Sequence, residues 1–297
     1  MAIQFSASTM QNELRQALSL DSDDYRVVVK EGDIEGRFIG MELKSVFQPI
    51  VDIDAGRPVG YEAFLRAFDS KQESMSAPKA FEQAEISGQL IRFDRVCRTL
   101  HTLNFLNLPS DRGSLFLNVH PQLLVTVNSH GKIFERVLHD YSVSTSQVVI
   151  EIPESAIAQE GLLEYAINNY RERGYKIAID NFGRDHTSLE RLWRLSPDYI
   201  KFDGSIIAQA ASNTRLQKVL PKLVGIIQDL GGLAIVAGVE TESQLEFARF
   251  AGMNRVQGFL LGHPETALHW DDNLSPFVAP AEQIISANPE LKTVRTI

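Results

Sequence analysis

Cysteine is nearly absent from this chain: its 297 residues contain one, Cys97, in the stretch "RVCRTL". One thiol cannot close an internal disulfide, and a cysteine-built metal site is excluded. In that setting Cys97 reads as a half-buried helix residue rather than a nucleophile. Basic charge is also in short supply, with 29 Lys and Arg against 38 Asp and Glu, a net charge of −9. That balance argues against direct nucleic-acid binding driven by counterion release. It leaves room for a nucleotide held through metal ions or a few basic side chains. Long hydrophobic runs are missing too. The most apolar stretch, "LVGIIQDLGGLAIVAGV", is interrupted by Asp229 and by Gly231–Gly232, so no membrane span is expected. The opening "MAIQFSASTM" has no basic segment followed by an apolar one. The expected location is therefore cytoplasmic. No GxGxxG turn follows a strand-like run, which removes support for a dinucleotide-binding fold. No solenoid-scale repeat or low-complexity tract is present.

What the chain does contain is a 44% hydrophobic fraction, enough for a sizeable core, and a rhythm. From residue 44, "SVFQPIVDI" and "PVGYEAFLRA" read as strands joined by the turn signal "DAGR". A helical stretch from Ser76 to Leu106 follows, with Ser76 as N-cap and Pro78 in its first turn. Strand-like runs "SLFLNV", "QVVIEI", "KIAID", "YIKFD", "LAIVAGV" and "RVQGFLLG" then alternate with helical ones. Strand cores that are apolar throughout belong to parallel strands buried on both faces. About eight such strands, with a hairpin at the start, predict an α/β fold of the modified (β/α)8, TIM-like barrel type; a doubly wound open sheet is the runner-up. The expected organisation is an N-terminal α/β appendage over 1–40, a barrel over 41–275 and a tail over 276–297. In the appendage, "MQNELRQALSL" has helical spacing, "YRVVVK" reads as a strand and "EGDIEGRFIG" as a turn or hairpin.

Catalytic groups in such barrels project from the C-terminal strand ends. The polar residues found there are Glu62, Asn118, Glu151, Asp180, Lys201 and Gln257. Three carboxylates and an amide oxygen are hard ligands, suited to Mg²⁺ or Mn²⁺ more than to zinc. A lysine beside them can hold an anionic oxygen, an arrangement fit for metal-assisted phosphoryl chemistry. Each residue alone has a structural explanation: Glu62 could pair with Arg66, Asn118 could cap a loop, and Lys201 could neutralise Glu151. Six together point to a site. A Schiff-base role for Lys201 is disfavoured, because clustered carboxylates keep a lysine protonated.

Eight motifs in fixed order, "FQPIVD", "GYEAFLR", "FLNV", "IEIPES", "IAIDNFG", "DYIKFDGSII", "VAGVETESQL" and "RVQGFLLGHP", make the chain resemble the EAL domain family of cyclic di-GMP phosphodiesterases. The resemblance runs from about residue 44 to 268. It implies hydrolysis of cyclic di-GMP to the linear dinucleotide with two Mg²⁺ or Mn²⁺ ions. By that resemblance Glu62, Asn118, Glu151 and Asp180 are ligands of the first metal. Lys201 positions the attacking water and phosphate, Gln257 lies near the same site, and Glu154 steadies the loop after Asp180. Gln48, Pro49, Phe64, Arg66, Asp203 and Glu240 match positions on the nucleotide side. The signature itself reads "EAF", with Phe64 for leucine, a mild apolar exchange.

The departures are selective. The second metal of the family uses the aspartate after Asp180 and a glutamate in an "AEGVE" stretch, and here those positions hold Asn181 and Ala237. The first ligand set is complete, whereas the second keeps only Asp180. With one ion the attacking water is poorly ionised. The resemblance therefore implies a degenerate member that binds cyclic di-GMP as a receptor or regulator, with weak or absent hydrolysis. Two alternatives stand: an active phosphodiesterase in which Asp185 and His186 supply replacement ligands, and a protein-interaction module that binds no nucleotide. Arg184, where the family has a small residue, is either an added phosphate contact or a solvated loop arginine. A homodimer and a protein partner are left open.

Overall fold

The computed structural model describes residues 25–272 apart from 127–130, 157–159, 185–188 and 211. The helical reading of "MQNELRQALSL", the tail beyond Pro276, and the Asp185–His186 pair lie outside the described residues. Eight strands close a barrel: β3 (Met41–Asp52), β4 (Arg57–Phe68), β6 (Ser114–Asn118), β7 (Val148–Pro153), β8 (Lys176–Phe182), β9 (Tyr199–Phe202), β10 (Leu233–Val236) and β11 (Arg255–Val256). From β4 through β11 the neighbours run parallel, while β3 is antiparallel to both β4 and β11 and closes the ring. The β3–β4 hairpin turns where Asp52 accepts hydrogen bonds from the amides of Asp54 and Ala55, so the "DAGR" segment is a side-chain-stapled turn. Two further strands, β1 (Tyr25–Lys30) and β2 (Asp33–Phe38), form a hairpin whose second arm pairs with the first residues of β3, and β5 (Ser74–Met75) adds to the far edge of β4.

Helices cover the outside because each crossover must return the chain to the same end of the next strand. The stretch from Ser76 to Leu106 is two helices, not one. Ala77–Ile86 is capped by Ser76, whose hydroxyl accepts from the Lys79 amide, and Leu90–Phe105 begins after a break. Gly88, at φ +67°, sits in that break. Glycine adopts this backbone without steric cost, and it ends the first helix here. Later helices start on side-chain caps readable in the sequence. Asn213 accepts from the amides of Arg215 and Leu216 ahead of Thr214–Asp229, and Thr241 with Gln244 forms a reciprocal capping box ahead of Glu242–Phe250. The last strand is shorter than "RVQGFLLG" suggests: pairing with β10 stops at Val256. Gln257 leaves the ladder to exchange backbone bonds with Val236 and Val239 instead.

The β1–β2 hairpin is tied to the barrel body by side chains. Asn104, buried on the Leu90–Phe105 helix, donates through Nδ2 to the Ile34 carbonyl and accepts from the Ile34 amide. Tyr25, Val27, Ile34 and Phe38 belong to the same apolar core as the barrel strands and their helices.

Candidate active site at the barrel mouth

The six strand-end residues come from six different strands or their immediate exits, and the parallel ladder brings their side chains to one end of the barrel. In register, Gln48 lies opposite Glu62, and Asn118 opposite Glu151. Glu62 is the hub. Its Oε1 accepts from Asn118 Nδ2 at 2.7 Å, and its Oε2 accepts from both Lys201 Nζ and Gln257 Nε2 at 2.8 Å. Lys201, 2% exposed, also lies 2.6 Å from Glu151 Oε1 and 3.6 Å from Asp180 Oδ1. Three carboxylates thus surround one ammonium. Glu151 is fully buried, yet neither of its oxygens receives a well-directed hydrogen bond despite the short contact to Nζ.

These surroundings separate the acids electrostatically. Burial opposes ionisation of Glu62, but the Lys201 charge and the hydrogen bonds to Glu62 outweigh it and hold that carboxyl below the usual range. Burial, together with the charge of Glu62, pushes Glu151 well above the carboxylate range, and Lys201 offsets only part of the rise. Asp180 is raised by burial and by Glu62, against the pull of Lys201. Burial lowers Lys201 less than the three carboxylates raise it, so its ammonium stays charged.

The cavity at this mouth has a volume of about 240 Å³. Glu62, Asp180, Asn181, Lys201, Ala237 and Gln257 line it, together with Gln48, Phe64 and Glu240. Phe259 and the backbone of Gly238 and Gly258 complete the wall. Sequence reasoning missed Phe259, which is 51% exposed and stacks on His263 at 4.2 Å. The signal was its place two residues after Gln257, and reading that whole segment as strand hid it. A side chain at Gly258 would place Cβ 2.0 Å from the Val239 carbonyl oxygen, so only glycine lets the chain turn here and hold Gln257 against Glu62.

Other residues from the sequence reading sit elsewhere. Pro49 is buried in β3, and Arg66 is exposed, with Nη1 donating to the Leu65 carbonyl. Asp203 caps the short helix Gly204–Ala210 through the Ser205 amide, with Arg184 Nη1 3.9 Å away. None of these four lines the cavity. Glu154 accepts from the Gly183 amide at 3.1 Å, which fastens the turn that follows β8. A larger groove on the outer surface, about 640 Å³ and lined in part by Arg92 and Arg95, contains none of the strand-end residues.

The two altered positions differ in character. Asn181 has φ +58°, a left-handed conformation that Asn and Asp tolerate better than most residues. Its Nδ2 donates to Asp180 Oδ2 at 2.9 Å, so the amide turns its donor, not its oxygen, toward the neighbouring acid. Ala237 contributes a methyl group beside the cavity and its amide to the Phe202 carbonyl. Among the described residues no three of His, Cys, Asp and Glu converge on an open point suited to a metal ion. The point that Glu62, Glu151 and Asp180 share is filled by Nζ of Lys201.

Comparison with known proteins agrees with this architecture. MucR of Pseudomonas aeruginosa, named a bifunctional diguanylate cyclase/cyclic di-GMP phosphodiesterase, is 29% identical over 236 residues, covering 76% of this chain and 33% of its own. PdeA of Escherichia coli, named a probable cyclic di-GMP phosphodiesterase, is 32% identical over 151 residues, 50% of this chain and 20% of its own. The chain therefore spans a third or less of the length of these two relatives. A solved structure described as PaMucR phosphodiesterase in complex with c-di-GMP superposes with a TM-score of 0.65 at 26% identity, covering 76% of this chain and 93% of that one. The EAL domain family matches residues 32–264, which takes in all eight barrel strands, and the chain belongs to the EAL domain family.

Proposed function

We propose that this chain is a cyclic di-GMP-binding EAL domain whose hydrolytic activity is weak or absent, acting as a receptor or regulator. The observation that carries the reading is the state of the second metal position. The Ala237 side chain offers no donor atom there, and Asn181 brings an uncharged amide, with its N–H turned onto Asp180, where the family has a carboxylate. Relatives that bind or cleave cyclic di-GMP support the choice of ligand.

The donor set fits one hard divalent ion better than two. Glu62, Glu151 and Asp180 with the Asn118 amide would hold Mg²⁺ or Mn²⁺, and Glu151 has two buried oxygens in want of good partners. When bound, such an ion supplies charge stabilisation to a phosphoryl oxygen. The chain's own residues do the rest. Lys201 brings a positive charge to a phosphate oxygen. Gln257 holds Glu62 in place. Glu154 fastens the turn beyond Asp180 through the Gly183 amide. Phe64 and the exposed ring of Phe259 offer aromatic faces to a nucleobase. The loss of two carboxylates lowers repulsion toward a doubly anionic ligand.

The names of the relatives favour a second reading, an active phosphodiesterase releasing linear pGpG. One experiment separates the two: incubate the protein with cyclic di-GMP and Mn²⁺, and follow binding by calorimetry and product by chromatography. Saturable binding at micromolar ligand without product is expected. Steady product formation would establish the phosphodiesterase, and neither binding nor product would leave a protein-interaction module.

A further inference from the structure

We propose that Lys201 is the resident counter-ion of the barrel mouth: its ammonium occupies the point where a divalent cation would sit, so a cation binds only by displacing it. The proposal rests on the metal-ligand reading of Glu62, Glu151 and Asp180, and it is independent of whether the nucleotide is cleaved. Lys201 has three N–H donors, and three carboxylates lie 2.6, 2.8 and 3.6 Å from Nζ. All three acids face the same nitrogen, which leaves no second focus for a doubly charged ion within the cluster. Both oxygens of Glu62 are engaged as well, by Asn118, Lys201 and Gln257.

A metal ion needs oxygens at about 2.0–2.6 Å, close to where Nζ now stands. Ammonium and a dication cannot share that point, since like charges a few ångströms apart repel strongly in a buried site. The formal sum explains why exchange is favourable once a cation is present. Even with the Glu151 carboxyl neutral, the Glu62 and Asp180 carboxylates against one ammonium leave the cluster one charge negative, whereas a balanced cluster would hold its lysine against any competitor. Lys201 also borders the cavity. A cation that drives Nζ off the carboxylates turns the ammonium toward that space, where an anionic phosphate neutralises it. Cation binding and anion binding at this mouth are then positively coupled, because the first releases the charge that the second needs.

The test uses Mn²⁺ alone, without nucleotide, on the full chain. Lys201→Met removes the ammonium and keeps most of the side-chain volume. Calorimetry should show Mn²⁺ binding at least ten-fold tighter in this variant than in the wild type. The metal-free variant should melt lower, and saturating Mn²⁺ should raise its Tm by more than it raises that of the wild type. Equal or weaker Mn²⁺ binding by a folded variant overturns the proposal and leaves the metal site standing. Absence of Mn²⁺ binding in both proteins overturns the proposal and the metal-site reading together. If the variant does not fold, the wild type decides through its lysine ¹⁵Nζ resonances. The buried ammonium of Lys201 gives a slowly exchanging signal that saturating Mg²⁺ should shift and expose to solvent exchange. An unchanged, protected signal at saturation overturns the proposal.

Discussion

Among the described residues two buried ionic clusters stand out, and they are built on opposite terms. On the Leu90–Phe105 helix, Arg98 pairs with Asp94 at 2.8 Å, with side chains 6% and 9% exposed. Arg98 Nη1 also donates to the Tyr170 hydroxyl, and the guanidinium lies over the Phe134 ring. One acid meets one base, and the charges cancel. At the barrel mouth one base meets three acids, and they do not. A balanced cluster is complete as folded and serves the packing of helix on barrel. An unbalanced one stays in want of positive charge, and it faces a cavity through which charge can arrive. Burial alone does not separate structure from function here, since Lys201 is as deeply buried as Arg98. Stoichiometry of charge does.

The difference predicts how each cluster fails. Arg98→Met leaves Asp94 buried without a counter-charge. Removing one partner of a buried pair costs about 3–5 kcal/mol, the largest effect expected of any single change considered. Urea denaturation should show that loss, and added Mn²⁺ should not recover it. Recovery by Mn²⁺ would mean that the helix cluster is also a cation site, and the distinction would disappear.

Next in size is the repair of the second metal position. Asn181→Asp combined with Ala237→Glu should raise the rate of linear product formation at least 100-fold, about 2.7 kcal/mol of barrier. The expected failure of Asn181→Asp alone is informative: it replaces a donor onto Asp180 with a second negative charge, and it supplies no partner ligand. A double variant without gain would place the defect in the turn after β8 instead.

Much of this was legible beforehand, and the reason is physical. Strand ends in a parallel barrel are registered by backbone ladders, so Glu62, Asn118, Glu151, Asp180, Lys201 and Gln257 fall together once the strands are recognised. Alternation of apolar strands with helices carried the barrel. The capping residues Ser76, Asn213 and Thr241 are local signals that act locally. What sequence could not show was orientation. Nothing in "IDNFG" says that the Asn181 amide turns its N–H onto Asp180, or that Lys201 lies within ion-pair distance of three acids instead of one. The break at Gly88 was hidden because residues on either side keep helical character. The short last strand was hidden because "RVQGFLLG" is apolar throughout, although Gly258 can pack only where the chain leaves the ladder. Arg66 and Pro49 were drawn in by proximity to Glu62 and Gln48. The alternation of a strand puts Pro49 on the face opposite Gln48, whereas Arg66 shares the face of Glu62 and Phe64 but lies farther along β4, beyond the cavity.

Acid separates the two regions in a further way. His101, on the same helix as Arg98, is fully buried against Ser45, and burial with the nearby Arg98 charge lowers its pKa from 6.5 to about 3. The folded state excludes a proton that the unfolded chain binds below 6.5. Stability from this group is therefore complete above pH 6.5 and falls by about 1.4 kcal/mol per unit as pH drops toward 3. Glu151 acts with the opposite sign. Its carboxyl is held above the usual range, so its contribution is greatest at acid pH and declines as pH rises through the carboxylate range and beyond. Urea midpoints measured across pH should flatten on the acid side in His101→Gln and at higher pH in Glu151→Gln. Identical profiles for the two variants would contradict the assignment.

The smallest expected effect bears on how open the mouth is. Glu62 receives one donor from an exposed residue, Asn118, and one from a residue 2% exposed, Gln257. The two bonds are alike in length, so geometry alone would rate them equal. Water can replace the amide of Asn118, whereas at Gln257 it would have to enter a closed space. Asn118→Ala should therefore cost about 0.5–1 kcal/mol and Gln257→Ala about 1.5–3 kcal/mol, the span between a replaceable bond and one to a buried charge. Both are read from urea midpoints in metal-free buffer. Equal losses would mean that water reaches neither donor and that Glu62 is sealed as tightly as Asp94. A sealed Glu62 would leave an incoming cation no wet side from which to approach, and the contrast between a closed cluster and an open one would have to be given up.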